Sequence, residues 1–308
     1  MKKHKICKIL LVILAIFLCV AFYELLGICV AYKKQPEVSN TTKKETKNGS
    51  WNECSENTER AVIIEKNPEA LLQRVRLIKN AKKEIILSTF AFQSDESGKL
   101  ILGALHDAAD RGVHIRLLVD GMESWIDMEG NPYFYGLSSH ENVEIKLYNK
   151  ANPLKPWKMM GRMHDKYLIA DGKRYILGGR NTYNYFLGDF PGHKNYDRDV
   201  LVVCDEPEKE NSVNQLLEYF ETIWEQEDSG YFHDNKKLAN RKSVKNAVLE
   251  LQNGYQKYFE ENKERICDTD YTDETFETEK IALVSNPIHT GSKEPVVWYQ
   301  LGELMKNA

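Results

Sequence analysis

Residues 162–181, RMHDKYLIADGKRYILGGRN, place the tightest constraint on how this 308-residue chain folds. Two short apolar runs, Tyr167 to Ala170 and Tyr175 to Leu177, flank Asp171-Gly172. Asp-Gly between such runs predicts a tight hairpin, because the favoured turn needs positive φ at both central positions and these residues tolerate it. On the first strand His164 and Lys166 lie two apart and so share a face. Gly178-Gly179-Arg180-Asn181 ends the second strand in a permissive, donor-rich bend. A neutral imidazole able to attack phosphorus, a lysine supplying charge and an asparagine amide donating hydrogen bonds together suit a phosphate site.

His164-x-Lys166-x4-Asp171, followed by Gly178-Gly179-x-Asn181, resembles the HKD signature of the phospholipase D superfamily. Beyond residue 60 the chain is similar to the bacterial cardiolipin synthase-like and membrane phospholipase D-like branch. The resemblance implies that His164 attacks phosphorus and forms a covalent phosphohistidine, with no metal or cofactor required. A second histidine, from the other half of such enzymes, would protonate the leaving alkoxide and then activate the acceptor. Lys166 and Asn181 would hold the non-bridging oxygens. The nucleophile must be neutral, so its second ring nitrogen needs an acceptor. Asp199, in Asp197-Arg198-Asp199 at the start of the next strand, is the candidate. Asp171 belongs to the motif, but at a turn its expected task is to bond hairpin backbone. Arg180 is open between phosphate and solvent. A lone histidine or lysine on a strand is ordinarily structural or solvated; side by side on one face, the pair favours function.

Residues 1–8 are a basic flank, and Ile9 to Tyr32 form a 24-residue apolar run broken by Glu24. That length crosses a bilayer with some tilt, and it is long for a cleaved leader with no A-x-A site behind it. Glu24 is expected as a tolerated near-interface residue. Denser charge beside the amino terminus favours an inside N-terminus, with the globular part outside. Residues 33–60 are polar and predict a solvated tether, with Trp51 and Cys54 as ordinary linker residues. The net charge of −4 gives no basic footprint, so a dedicated nucleic-acid binder is not favoured. Six cysteines without C-x-x-C spacing indicate neither zinc nor a disulfide framework.

Helical spacing covers 68–81, 98–111 and 211–224, and strand-like runs cover 84–92, 113–119, 142–148 and 199–204. Alternating strands and helices predict an α/β sandwich with a mixed sheet over 61–227. Residues 228–278 read as a polar, partly helical connector. Segment 295–308 repeats 68–81 with six identities in 14 positions, and Ile281 to Ser285 before it is strand-like. By the resemblance, 279–308 begins a second half, and no second H-x-K-x4-D follows. The expectation is one full half plus the start of another, completed by a missing C-terminal half or by a homodimer.

The aromatic residues Trp125, Tyr133, Phe134, Tyr135 and Trp157 suit either acyl-chain access or core capping. Glu123 and His140 are expected at the surface, and His193 lacks a lysine two residues on. The leading expectation is a membrane-anchored enzyme of the cardiolipin synthase type, moving a phosphatidyl group from a phosphatidylglycerol-like lipid to an alcohol or water. A nucleic-acid phosphodiesterase and a catalytically silent fragment are the alternatives.

Overall fold

The computed structural model describes residues 2–32, 36–49, 59–204, 211–233, 235–279, 281–287 and 294–307; Trp51 and Cys54 lie outside them. A nine-stranded mixed sheet runs through the domain in the order β8-β4-β3-β2-β5-β6-β7-β1-β9. Its parallel centre is β2 (Glu84–Thr89), β3 (His114–Asp120) and β4 (Val143–Tyr148). On one side follow the antiparallel strands β5 (Tyr167–Ala170), β6 (Arg174–Gly178), β7 (Asp199–Cys204), β1 (Glu59–Ile64) and β9 (Phe276–Glu277). β8 (Ser229–Tyr231) pairs antiparallel at the other edge.

Period-two alternation divides the strand side chains between two cores. Ile85, Leu87, Ile115, Leu117, Leu168, Ile176 and Leu201 pack on one face, beneath α3 (Asn67–Asn80), α4 (Glu96–Asp110), α6 (Pro132–Ser138), α8 (Lys242–Glu261) and α9 (Lys263–Cys267). Ile86, Leu118, Tyr167, Ile169, Tyr175 and Val202 pack on the other, beneath Leu216, Phe220 and Trp224 of α7 (Ser212–Trp224). The result is an α/β sandwich with a mixed sheet.

Three expectations change. Residues 228–278 are part of the domain rather than a connector, because Val244, Leu251, Tyr255 and Phe259 give α8 an apolar stripe that α4 and α6 cover. In the polar 33–60 stretch, α2 (Asn40–Asn48) is a capped helix: Ser39 Oγ accepts from Thr42 N, and Gly49 at φ 74° closes it. Ile281 to Ser285 forms no strand; it lies along α7, with Leu283 N donating to Gln215 Oε1 at 2.9 Å. The chain then enters α10 (Val296–Asn307).

The hairpin turns at Asp171 (φ 55°) and Gly172 (φ 62°), closed by Lys173 N donating to the Ala170 carbonyl at 3.0 Å. The Asp171 carboxylate bonds not its own hairpin but the chain entering β2. It accepts from Lys82 N at 2.8 Å, Lys83 N at 2.7 Å and Glu84 N at 3.0 Å. It thereby sets the register in which β5 lies against β2, Ser88 opposite Tyr167. Replacing Asp171 with Ala is expected to cost about 1–2 kcal/mol, because water can reach part of this cluster. Urea denaturation of the full chain in detergent measures that loss.

Candidate active site

The carboxyl ends of β2 and β3, the start of β5, the end of β6 and the start of β7 all meet at one edge of the sheet. In open α/β sheets this edge is the ordinary place for a ligand. His164 and Lys166 sit here in the extended lead-in to β5 rather than on the strand itself. The Lys166 carbonyl accepts from Gly178 N at 3.1 Å, which carries the ladder one residue past the strand.

The lead-in alternates, and its two sides differ. Arg162, His164 and Lys166 all approach the ring of Phe90, just beyond β2. The His164 ring meets it edge-on at 4.6 Å between centroids, the Arg162 guanidinium carbon lies 4.8 Å from its centroid, and Lys166 Nζ lies 5.3 Å away. An aromatic face attracts cations at these distances. Lys166 Nζ also donates to the His164 carbonyl at 2.6 Å. On the opposite side Met163 is buried, with its N–H donating to Asp120 Oδ2 at 3.1 Å, and Asp165 accepts from the Tyr219 hydroxyl at 2.8 Å.

Electrostatics follow from this packing. Burial, then Lys166 and Arg162, lower the His164 pKa against a small opposing effect of Glu123, so the imidazole is neutral at neutral pH. Burial brings Lys166 down to about 8, against the attraction of Asp165 and Asp197. Burial raises Asp165, and it raises the Tyr219 phenol far above its usual range.

These groups face a cavity of about 610 Å³. Arg162, His164, Asp165, Lys166 and Glu294 line it with charge or a titratable ring, Tyr219, Ser285 and Asn286 add polar groups, and Met160, Leu216, Leu283, Val284, Pro287 and Val297 supply much of the apolar wall.

Two expected site residues have other partners. Asp199 does not accept from His164. Its Oδ2 takes Arg74 Nη1 at 2.9 Å and Arg180 Nη1 at 3.2 Å, and all three side chains are buried. Arg180 is therefore internal, donating also to Asn67 Oδ1 and the carbonyls of Ile64 and Glu65. Asn181 Oδ1 accepts from Ala91 N at 3.2 Å, tying the bend after β6 to the segment after β2, and Asn181 is not among the cavity-lining residues. The Gly pair is required by close approach: a Cβ on Gly178 would meet Asp199, and one on Gly179 the carboxylate of Asp197.

Other residues joined the site without being expected. Glu123, anticipated at the surface, is half-buried and accepts from Arg162 Nη2 at 2.8 Å. Arg162 Nε also donates to buried Asp120 Oδ1 at 2.8 Å. Arg162 was legible as the third member of the period-two series 162, 164, 166; Phe90 and Tyr219 had no local signal. Phe134 and Tyr135 are buried core residues, whereas Trp125 is exposed. His140 is partly covered and pairs with Asp110 at 3.2 Å.

Residues 74–224 match the family model described as cardiolipin synthase, PLD-like domain. An uncharacterized protein of Helicobacter pylori strain J99 is 30% identical over 212 residues, covering 64% of this chain and 39% of that protein. Cardiolipin synthase C of Escherichia coli K12 is 29% identical over 171 residues, covering 51% of this chain and 34% of the synthase. The matches thus span well under half the length of these relatives. Among solved structures, Nuc from Salmonella typhimurium, a phospholipase D family member, is 20% identical at a TM-score of 0.41, covering 57% of this chain and 99% of that one. The chain belongs to the phospholipase D superfamily.

Replacing Asp199 with Asn leaves two buried guanidinium groups without a counter-charge and is expected to cost about 3–5 kcal/mol. The unfolding midpoint of the purified chain should fall accordingly, whereas Arg198→Gln, at the exposed neighbour, should shift it by less than about 1 kcal/mol.

Proposed function

We propose that this chain is a membrane-anchored phospholipase D-like phosphodiesterase that moves a phosphatidyl group to an alcohol or to water. The observation that carries this reading is a neutral His164 beside cationic Lys166 in a cavity with a largely apolar second wall. A neutral imidazole nitrogen attacks phosphorus; the P–N bond forms as the bond to the leaving alkoxide breaks. Lys166, with Arg162 next to it, offsets the negative charge gathering on the non-bridging oxygens. A hydroxyl, from a glycerol headgroup or water, then displaces the imidazole and restores it. The proton for the leaving alkoxide would come from a second imidazole, in the remainder of a longer protein or in a second copy. Asn181 remains a proposed phosphate donor through its side-chain amide.

The cavity's charges favour lipid over nucleic acid. Arg162 and Lys166 share the wall with Asp165 and Glu294, so among the described residues no basic groove leads to His164 for a polyanionic backbone. Anchoring rests on α1 (Lys2–Tyr32), whose Lys5–Val30 stretch is long and apolar enough to cross a membrane.

The 308-residue chain in phosphatidylglycerol micelles should release glycerol, whether the phosphatidyl group passes to water or to an alcohol, and His164→Ala should lower that rate by at least about a thousandfold. Cleavage of single-stranded DNA in place of lipid would favour the nuclease reading; a monomer with no turnover on either would favour the silent one. The pH profile of kcat/KM is expected to be bell-shaped. The lower limb, where His164 becomes protonated, falls below pH 6.5. The upper limb, where Lys166 loses its charge, is centred near pH 8. Lys166→Arg stays charged and should remove the component of the upper limb near pH 8, leaving only that of the second imidazole, at reduced rate.

A further inference from the structure

We infer that the face formed by α5 (Gly121–Asp127) and the loop 150–160 lies in the headgroup layer of the bilayer, beside the end of α1. This rests on the anchoring proposed above. The first observation is contact: among the described residues, α1 is exposed along most of its length and is covered by the domain towards its C-terminal end. Tyr23 Oη donates to the Leu154 carbonyl at 2.8 Å, and buried Gly27 lies so close to Pro156 that a Cβ would overlap the proline ring.

The second observation is depth. A hydrocarbon layer of about 30 Å takes about 20 helical residues at about 1.5 Å each. Counted from Ile9, after the last basic residue of the N-terminal flank, that layer ends near Ile28, one residue beyond Gly27. The loop that packs on Gly27 is therefore at the membrane surface.

The third observation is chemistry. Trp125, Ile126, Leu154 and Trp157 are exposed by 68%, 67%, 76% and 45% on these two adjoining segments. Single exposed apolar side chains are ordinary, but a cluster next to a spanning helix is a contact surface. Tryptophan is favoured at headgroup level, and exposed Lys155 on the same loop suits anionic lipid. Between this face and α1 runs a mostly apolar cavity of about 640 Å³, walled by Ile28, Trp125, Met159 and Phe232 with Glu24, Glu129 and Lys150 also on its lining, with room for part of an acyl chain.

The geometry also links surface to site. The exposed Trp125 and Ile126 belong to the same helix whose Glu123 holds Arg162, and Arg162 shares the Phe90 ring with His164. Docking of α5 would thus hold the reactive imidazole close to the headgroups.

The test uses the full chain in phosphatidylcholine–phosphatidylglycerol vesicles, comparing it with Trp125→Phe/Trp157→Phe, conservative changes at exposed positions. Tryptophan emission is quenched from the membrane by acyl-brominated lipid and from water by iodide. The double substitution is expected to lower the lipid-quenchable emission by about twofold or more and to leave the iodide-quenchable part unchanged. Loss of iodide-quenchable emission alone overturns the inference. Carbonate extraction separates the two readings: a chain that stays in the membrane with Trp125 and Trp157 open to iodide keeps its anchor and loses this face. A chain washed off by carbonate loses both.

Discussion

One carboxylate shared by two buried guanidinium groups sets the edge of the sheet on which the site stands. Asp199, from the start of β7, meets Arg74 of α3 and Arg180 of the bend after β6. Each charge alone would cost several kcal/mol to remove from water, so the three are stable inside only as a set. Arg180 spends its other donors on Asn67 and on carbonyls at the end of β1, which fastens the bend to α3 and β1 together. The two glycines before it admit Asp197 and Asp199 at a distance no side chain would allow. With the end of β6 held there, Gly178 N reaches the Lys166 carbonyl, and the lead-in to β5 is drawn along the sheet edge.

On that lead-in, strand-like alternation does the rest. Met163 and Asp165 turn towards the core and α7, which leaves Arg162, His164 and Lys166 on the side of Phe90. The ring provides an apolar yet electron-rich surface on which two cations and an imidazole lie side by side. This packing has a chemical consequence: burial first, then the two cations, lower the pKa of the imidazole and favour its unprotonated form. The position of a single aromatic residue beyond β2 thus couples packing to reactivity.

Helix α5 has two sides with two tasks. Its start is anchored inward: Asp120 caps it and takes both Arg162 and the Met163 amide, while Glu123 takes the other end of Arg162. Its outward side is apolar and faces the same direction as the loop packed on α1. A short helix therefore connects Arg162 of the candidate site with this exposed apolar surface.

By itself the sequence determined what depends on neighbours in the chain. The Asp171-Gly172 turn, the alternation of 162–166, the strands that sort into two cores and the apolar length of α1 all follow from backbone preference and side-chain period. The placement of His164 beside Lys166 is local in the same sense, and it was legible. Tertiary structure alone decided the partners of charges and rings. Asp199 belongs to Arg74 and Arg180 rather than His164, Asp171 serves the entry to β2, Glu123 is drawn inward by Arg162, and Phe90 becomes the platform. The polar segment 228–278 likewise looked like a connector until α4 and α6 supplied a surface for its apolar stripe. The physical reason is common to all of these. A turn or a period is a property of adjacent residues, whereas the partner of a buried charge is whatever group the folded sheet brings within a few ångströms of it.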